Sequence, residues 1–166
     1  MNSQIEATIT VKDLVKDIKS PITVDSLINI RDLIYSRITI RSYDDSVKEH
    51  EKEIRWKRTA SEIIKDGYVY DGKACTDLTV LFIALCRALG LETNFVKVIN
   101  DEKVHSIAEV RLNDGWYIFD IANKGSIPLK GVITKESPYK DWKLWKKGRD
   151  AWELGLIDFE SISKIS

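Results

Sequence analysis

The chain has 166 residues and a mass of 19.1 kDa, the size of one domain, and its 26 Lys+Arg balance its 26 Asp+Glu. Zero net charge argues against a nucleic-acid partner held by phosphate neutralisation, and two cysteines are too few for a disulfide-stapled scaffold. The spacing of Cys75, Cys86, His50 and His105, the only Cys and His residues, matches no four-ligand zinc site, so no metal or other cofactor is expected.

The N-terminus lacks a basic segment leading into an apolar one. The most apolar stretch, Leu78 to Leu91, is short and interrupted by Thr79, Arg87 and Gly90. A cytoplasmic protein with no membrane partner is the expectation. Residues 1–67 read as a helical N-terminal region. Beyond Pro21, Asp25 or Ser26 is placed to cap a helix carrying Leu27, Ile30, Ile34 and Ile38 at near-helical spacing. From Arg41 to Gly67 charge is dense and apolar residues are isolated, which predicts a solvated amphipathic helix stopped by Gly67.

Residues 68–128 differ in kind. A turn-rich approach from Tyr68 to Ala74 leads into Asp77 to Leu89, apolar nearly all round and therefore a buried helix, with Gly90 ending it. Thr93 to Ile99 and Val104 to Leu112 read as strands, Asn113-Asp114-Gly115 as a hairpin turn, and Trp116 to Ile121 as the returning strand. Residues 129–166 read as turns followed by a C-terminal helical extension, in which Trp142, Trp145 and Trp152 share one helical face and dock on the core. Their neighbours Lys140, Lys143, Lys146, Lys147 and Arg149 make single-strand nucleic-acid binding a minor alternative there. The whole of 1–166 is expected to form a single domain.

Cys75 stands where loop becomes buried helix, so free backbone N–H groups and the positive end of the helix dipole favour its thiolate, the nucleophilic form. Cys86 lies about 16 Å further along the same helix, beyond disulfide reach, and reads as packing. His50 sits among Lys48, Glu49, Glu51 and Lys52 and reads as a solvated surface residue. That leaves His105, on a strand, as the candidate base or else a satisfied, partly buried strand residue, and Asp120, at the end of the next strand, as its candidate orienter or else a strand-end turn residue. Opposed residues of an antiparallel pair share a face. A turn at Asp114-Gly115 would set Asp120 against Glu109, some four residues from His105. Direct contact calls for a register in which His105 opposes Asp120, with a bulge or longer loop near Arg111 to Gly115, and that register is the expectation.

Three segments together resemble the core of the transglutaminase-like superfamily. Gly72-Lys73-Ala74-Cys75-Thr76-Asp77, followed by Leu81, Ala84, Leu85, Arg87-Ala88 and Gly90-Leu91, is similar to its nucleophile turn and helix. His105-Ser106-Ile107-Ala108-Glu109-Val110 resembles its His-x-x-x-Glu-Val strand, and Gly115-Trp116-Tyr117-Ile118-Phe119-Asp120 its Gly-x-Trp-x-x-x-Asp strand. Ile107 and Ile121 depart from the aromatic and proline frequent in the family, and the Cys-x-x-Cys pairs of its peptide N-glycanase branch are absent. The resemblance, over Tyr68 to Pro128, implies an α+β papain-like fold with the nucleophile helix packed on an antiparallel sheet. It also implies Cys75 as nucleophile, His105 as base and Asp120 as orienter.

The reaction so implied is acyl transfer on an amide of a protein or peptide through a Cys75 thioester, with water or an amine as acceptor. The Cys75 backbone N–H is a natural oxyanion donor, and Tyr70 or Trp56 is a candidate for the second. The alternative is an interaction module that keeps the fold without the reaction.

Overall fold

The computed structural model describes residues 3–101 and 103–165. Two helices, α1 (Ile9–Leu14) and α2 (Val24–Arg37), precede a short strand β1 (Thr39–Arg41). The cap of α2 is Thr23, whose side chain accepts from the Ser26 N–H while Ser26 Oγ accepts from the Thr23 N–H. Asp25 and Ser26 therefore lie inside the first turn rather than at the cap. Leu27, Ile30, Ile34 and Ile38 are all buried, as their spacing predicts.

The charged stretch after β1 is two short helices, α3 (Lys48–Ile54) and α4 (Ala60–Asp66), rather than one. Trp56 breaks the run: it takes a left-handed φ of 61° and buries its ring, which a continuous helix would not permit. Thr59 and Glu62 then form a new capping box, and Gly67 closes α4 at φ 76°. Strand β2 (Tyr68–Tyr70) follows and pairs parallel with β1, replacing the irregular approach expected there.

Helix α5 (Cys75–Ala88) is the centre of the molecule, with Thr76 through Cys86 buried and Gly90 in the left-handed region just beyond its end. Its cluster runs from Ile5 to Leu156 and includes Leu27, Ile34, Ile63, Phe95, Val110 and Phe119. Against α5 lies an antiparallel sheet of β3 (Thr93–Asn100), β4 (Lys103–Leu112), β5 (Gly115–Phe119), β6 (Leu129–Lys130) and β7 (Lys143–Gly148), ordered β6-β5-β4-β3-β7.

Strand β7 corrects the C-terminal helix. Lys143–Gly148 adds to the free edge of β3, with a bulge where Lys97 pairs Lys146 but Val98 pairs Leu144, and only 3-10 turns at Trp152–Leu154 and Phe159–Lys164 follow. Helical spacing of three tryptophans is a weaker cue than an unpaired edge of backbone donors and acceptors, which this segment satisfies. On the far face of the sheet, Val96, Val98, Ile107, Ile118, Ile133 and Tyr139 form a second, smaller cluster.

Candidate active site

The register of β4 and β5 decides whether His105 and Asp120 meet. Leu112 pairs Gly115 and Ala108 pairs Phe119, so Asn113-Asp114 forms the turn and the ladder runs without a bulge. This is neither register considered from the sequence: extended by one step, it sets Asp120 opposite Ile107 rather than His105. His105 and Asp120 are then diagonal neighbours on one face, a separation their side chains span. They do meet: His105 Nε2 donates to Asp120 Oδ1 at 2.7 Å. The ladder ends at Phe119, which leaves Asp120 free to turn toward the histidine.

The loop holding Asp120 is fixed by α2. Ser126 Oγ donates to the Asp120 carbonyl at 2.6 Å, Arg31 donates to the Ser126 carbonyl, and Tyr35 Oη donates to the Ile121 carbonyl at 2.9 Å. Trp142 stacks on the other partner: its ring lies 5.0 Å from the His105 imidazole at 28°. With Nε2 committed to Asp120 and one ring face covered, Nδ1 is the nitrogen left for Cys75.

Cys75 is the first residue of α5, and Ala74 before it offers no side-chain cap. The first backbone donor taken up within the helix is that of Leu78, bonded to Ala74 O. The N–H groups of the first turn therefore point outward at the sulfur's end, where they can stabilise negative charge. The same first turn is anchored by a buried ion pair, Arg58 Nη2 to Asp77 Oδ2 at 2.8 Å, with Arg58 also bonded to Asp66 and the Tyr68 carbonyl.

Behind the sulfur lies a group that the sequence reading missed. Lys97 is fully buried, and its Nζ donates to Ser106 Oγ at 3.0 Å and Thr76 Oγ1 at 3.3 Å. Those two hydroxyls also bond each other at 2.9 Å. Burial alone would push the Cys75 thiol up. Lys97, then the His105 hydrogen bond and charge, then Ser106, overcome it and bring the thiol down to about 6. Burial likewise opposes a charged His105, but its bonds to Asp120 and Cys75 prevail and raise it to about 9. Burial pushes the Lys97 ammonium below the ordinary lysine range, with Cys75 pulling it back.

Cys86 provides the contrast on the same helix. Fully buried with no charge beside it, its thiol is pushed up by burial alone. His50 is exposed, as expected, though its Nδ1 bonds the Tyr70 hydroxyl at 2.8 Å. The Trp56 ring is covered by Lys97 at 4.8 Å, and Tyr70 is bound to His50. Neither lines the cleft, so neither candidate for a second oxyanion donor gains support.

Cys75 and His105 line a cleft of about 470 Å³ whose walls include Ile40, Ala74, Leu78, Val104 and Ala122, with Asp71 and Lys124 also lining it. Among the described residues no group of three or more His, Cys, Asp or Glu converges as a metal site, and no helix is long and apolar enough to cross a membrane.

Among solved structures, the chain is similar to a candidate cysteine protease of Cytophaga hutchinsonii, with a TM-score of 0.62 and 20% identity over 94% of this chain and 47% of that one. It thus spans about half the length of the Cytophaga protein. It is also similar to LapG of Legionella pneumophila in an EGTA-treated form, with a TM-score of 0.54 and 17% identity over 92% of this chain and 83% of that one. These likenesses establish a shared fold of helices packed on an antiparallel sheet. No curated protein matches the sequence. The sequence profile of the transglutaminase-like superfamily matches residues 10–121, from α1 through β5 to just past Asp120. The nucleophile turn at Cys75, the strand bearing His105 and the strand ending at Asp120 all fall inside that span, and the chain belongs to the transglutaminase-like superfamily.

Proposed function

We propose that the protein is a cysteine-dependent acyltransferase or hydrolase acting on an amide of a protein or peptide, with Cys75 as nucleophile, His105 as acid–base and Asp120 as orienter. The observation that carries this reading is the 2.7 Å bond from His105 Nε2 to Asp120, made by an imidazole that also faces the part-exposed sulfur of Cys75 in one cleft. A cysteine merely packed in a core has neither a cleft nor an oriented imidazole beside it.

In the proposed reaction the Cys75 thiolate attacks the amide carbon, forming a C–S bond while the carbonyl oxygen gains the negative charge. The outward N–H of Cys75 bonds that oxygen. The C–N bond then breaks and the leaving amine takes its proton from His105. A water or an amine attacks the thioester next, gives its proton to His105, and releases the acyl group with regeneration of the thiolate. Asp120 keeps the proton on Nε2 and balances the charge of the imidazolium throughout. The apolar walls contributed by Ile40, Leu78, Val104 and Ala122 favour a substrate with an aliphatic segment next to the scissile amide.

Limiting iodoacetamide near neutral pH, with the adduct mapped by peptide mass, tests this reading. Rapid and selective labelling of Cys75, slowed in His105→Ala, is expected. Equal sluggishness at Cys75 and Cys86 would remove its basis and leave a fold-retaining interaction module as the better description.

A further inference from the structure

Lys97 is a fully buried cation that the proposed chemistry does not use. Its strand β3 is covered on both faces, and it points toward α5 together with Phe95. Among the described residues no carboxylate lies within ion-pair distance of it. Its ammonium hydrogens are divided among Ser106 Oγ, Thr76 Oγ1 and the face of the Trp56 ring. A buried cation without an anion is costly, and nothing structural here requires one. Thr76 and Ser106 already bond each other, and an aliphatic side chain would fill the same space. Among the described residues, the group facing it that can carry a negative charge is the Cys75 sulfur.

We infer that Lys97 is a positioning residue for the nucleophile: a buried countercharge that holds the Cys75 sulfur as a thiolate whether or not His105 is protonated. The inference rests on the reading of Cys75 as nucleophile. The geometry gives it a route. An ammonium only donates, so Ser106 Oγ and Thr76 Oγ1 both accept from Lys97, and their own hydrogens remain for other acceptors. The two hydroxyls bond each other, Thr76 follows Cys75 in the chain, and Ser106 is among the groups that hold the Cys75 thiol down. Lys97 thus reaches the site through two hydroxyls, one on the residue after Cys75 and one on the residue after His105. Ser106 is the direct cross-strand partner of Lys97 and the chain neighbour of His105, so one strand brings both supports to the sulfur.

Other charges around this group are few. From α3 and its exit, Arg55 faces Lys97 and weakens its charge, but Arg55 is itself bound to Glu51. Arg58 is taken by Asp77 and Asp66. His105, the other cation at the sulfur, is taken by Asp120. Lys97 alone is left to pair with Cys75.

The test measures Cys75 carbamidomethylation by limiting iodoacetamide from pH 5 to 10 in the intact protein and in Lys97→Met, Lys97→Gln and His105→Ala, with melting temperatures alongside. The wild-type midpoint is expected near 6. Both Lys97 variants are expected to raise it by at least about one pH unit, a roughly tenfold loss of thiolate between the two midpoints, without a lower melting temperature. His105→Ala is expected to keep a midpoint below the ordinary thiol value of about 8.5. An ordinary wild-type midpoint would sink the nucleophile reading itself. A low wild-type midpoint that both Lys97 variants retain would overturn only the role of Lys97. A shift in the Met variant alone would assign the effect to hydrogen bonding and overturn the role of charge. Should the Lys97 variants not fold, Cys75→Ala still decides the matter, because coupling between two sites is reciprocal. In lysine-labelled protein followed by nitrogen NMR, Lys97 is expected to lose its proton at lower pH in Cys75→Ala than in wild type. Identical titration in the two proteins would overturn the inference.

Discussion

At the scale of single residues, Cys75 and His105 set a window of pH. In the proposed reaction, below about 6 the sulfur gains a proton and the nucleophile is lost, and above about 9 the imidazole loses the proton destined for the leaving amine. Amide turnover is therefore expected to be bell-shaped, rising through about 6 and falling through about 9, and a steady-state pH profile on a peptide amide checks both limbs. Asp120→Asn keeps a hydrogen-bond acceptor for Nε2 but removes the charge that supports the imidazolium. The upper limb is expected to move to lower pH and turnover to fall roughly 10²- to 10⁴-fold, read from the same profile.

The three candidate site residues stand out in the sequence because each lies in a local pattern with a physical meaning. Cys75 begins an apolar helix, His105 sits on a strand, and Asp120 ends a run of aromatic and aliphatic residues. Lys97 was not legible. In the run Phe95-Val96-Lys97-Val98 a lysine between apolar residues reads as the solvent side of an alternating strand. Only the three-dimensional arrangement, with α5 on one face and β7 on the open edge, makes that side an interior. Trp142 was assigned to the docking of a helix and turned out to lie against the imidazole.

Elements carry the next level of support. The first turns of α5 are held to α4 and β2 by Arg58, whose side chain and that of Asp77 are 6% and 11% exposed. Removing one partner of a pair this deeply buried leaves the other charge uncompensated. Arg58→Met is therefore expected to destabilise the protein by about 3–5 kcal/mol, measured by urea unfolding. The helix that begins at Cys75 was readable from its all-round apolarity, whereas α3, α4 and β7 were misjudged. Those three are short, and their character is set by partners distant in sequence: the Trp56 ring seated in the core, and the edge of β3 waiting for a strand. Periodicity within a segment carries no information about either. The hairpin of β4 and β5 was recognised, but the expected register with His105 opposite Asp120 and a bulge or longer loop does not form: Asn113-Asp114 makes the turn without a bulge, and the two residues meet diagonally.

Across the whole molecule, the opening residues are tied to the last third of the chain. Gln4 is fully buried; its Oε1 accepts from the Ala151 N–H at 3.1 Å, and its Nε2 donates to the carbonyls of Trp56 and Arg58. The Gln4 N–H in turn donates to Asp150 Oδ2 at 3.0 Å. One side chain thus joins the N-terminal segment, the break between α3 and α4, and the turn after β7. Gln4→Ala leaves these groups unsatisfied and is expected to cost about 2–4 kcal/mol, with far-ultraviolet circular dichroism and tryptophan fluorescence reporting one common transition.

The contact between Trp142 and His105 makes the site optically visible. A protonated imidazole stacked on an indole quenches its emission by accepting an electron from the excited ring, and the neutral imidazole does so far less. Fluorescence of the protein at rest should accordingly brighten as pH rises through about 9, with Trp142→Phe abolishing that step. The acid–base residue is thereby accompanied by its own chromophore, which reports its charge without substrate, label or turnover.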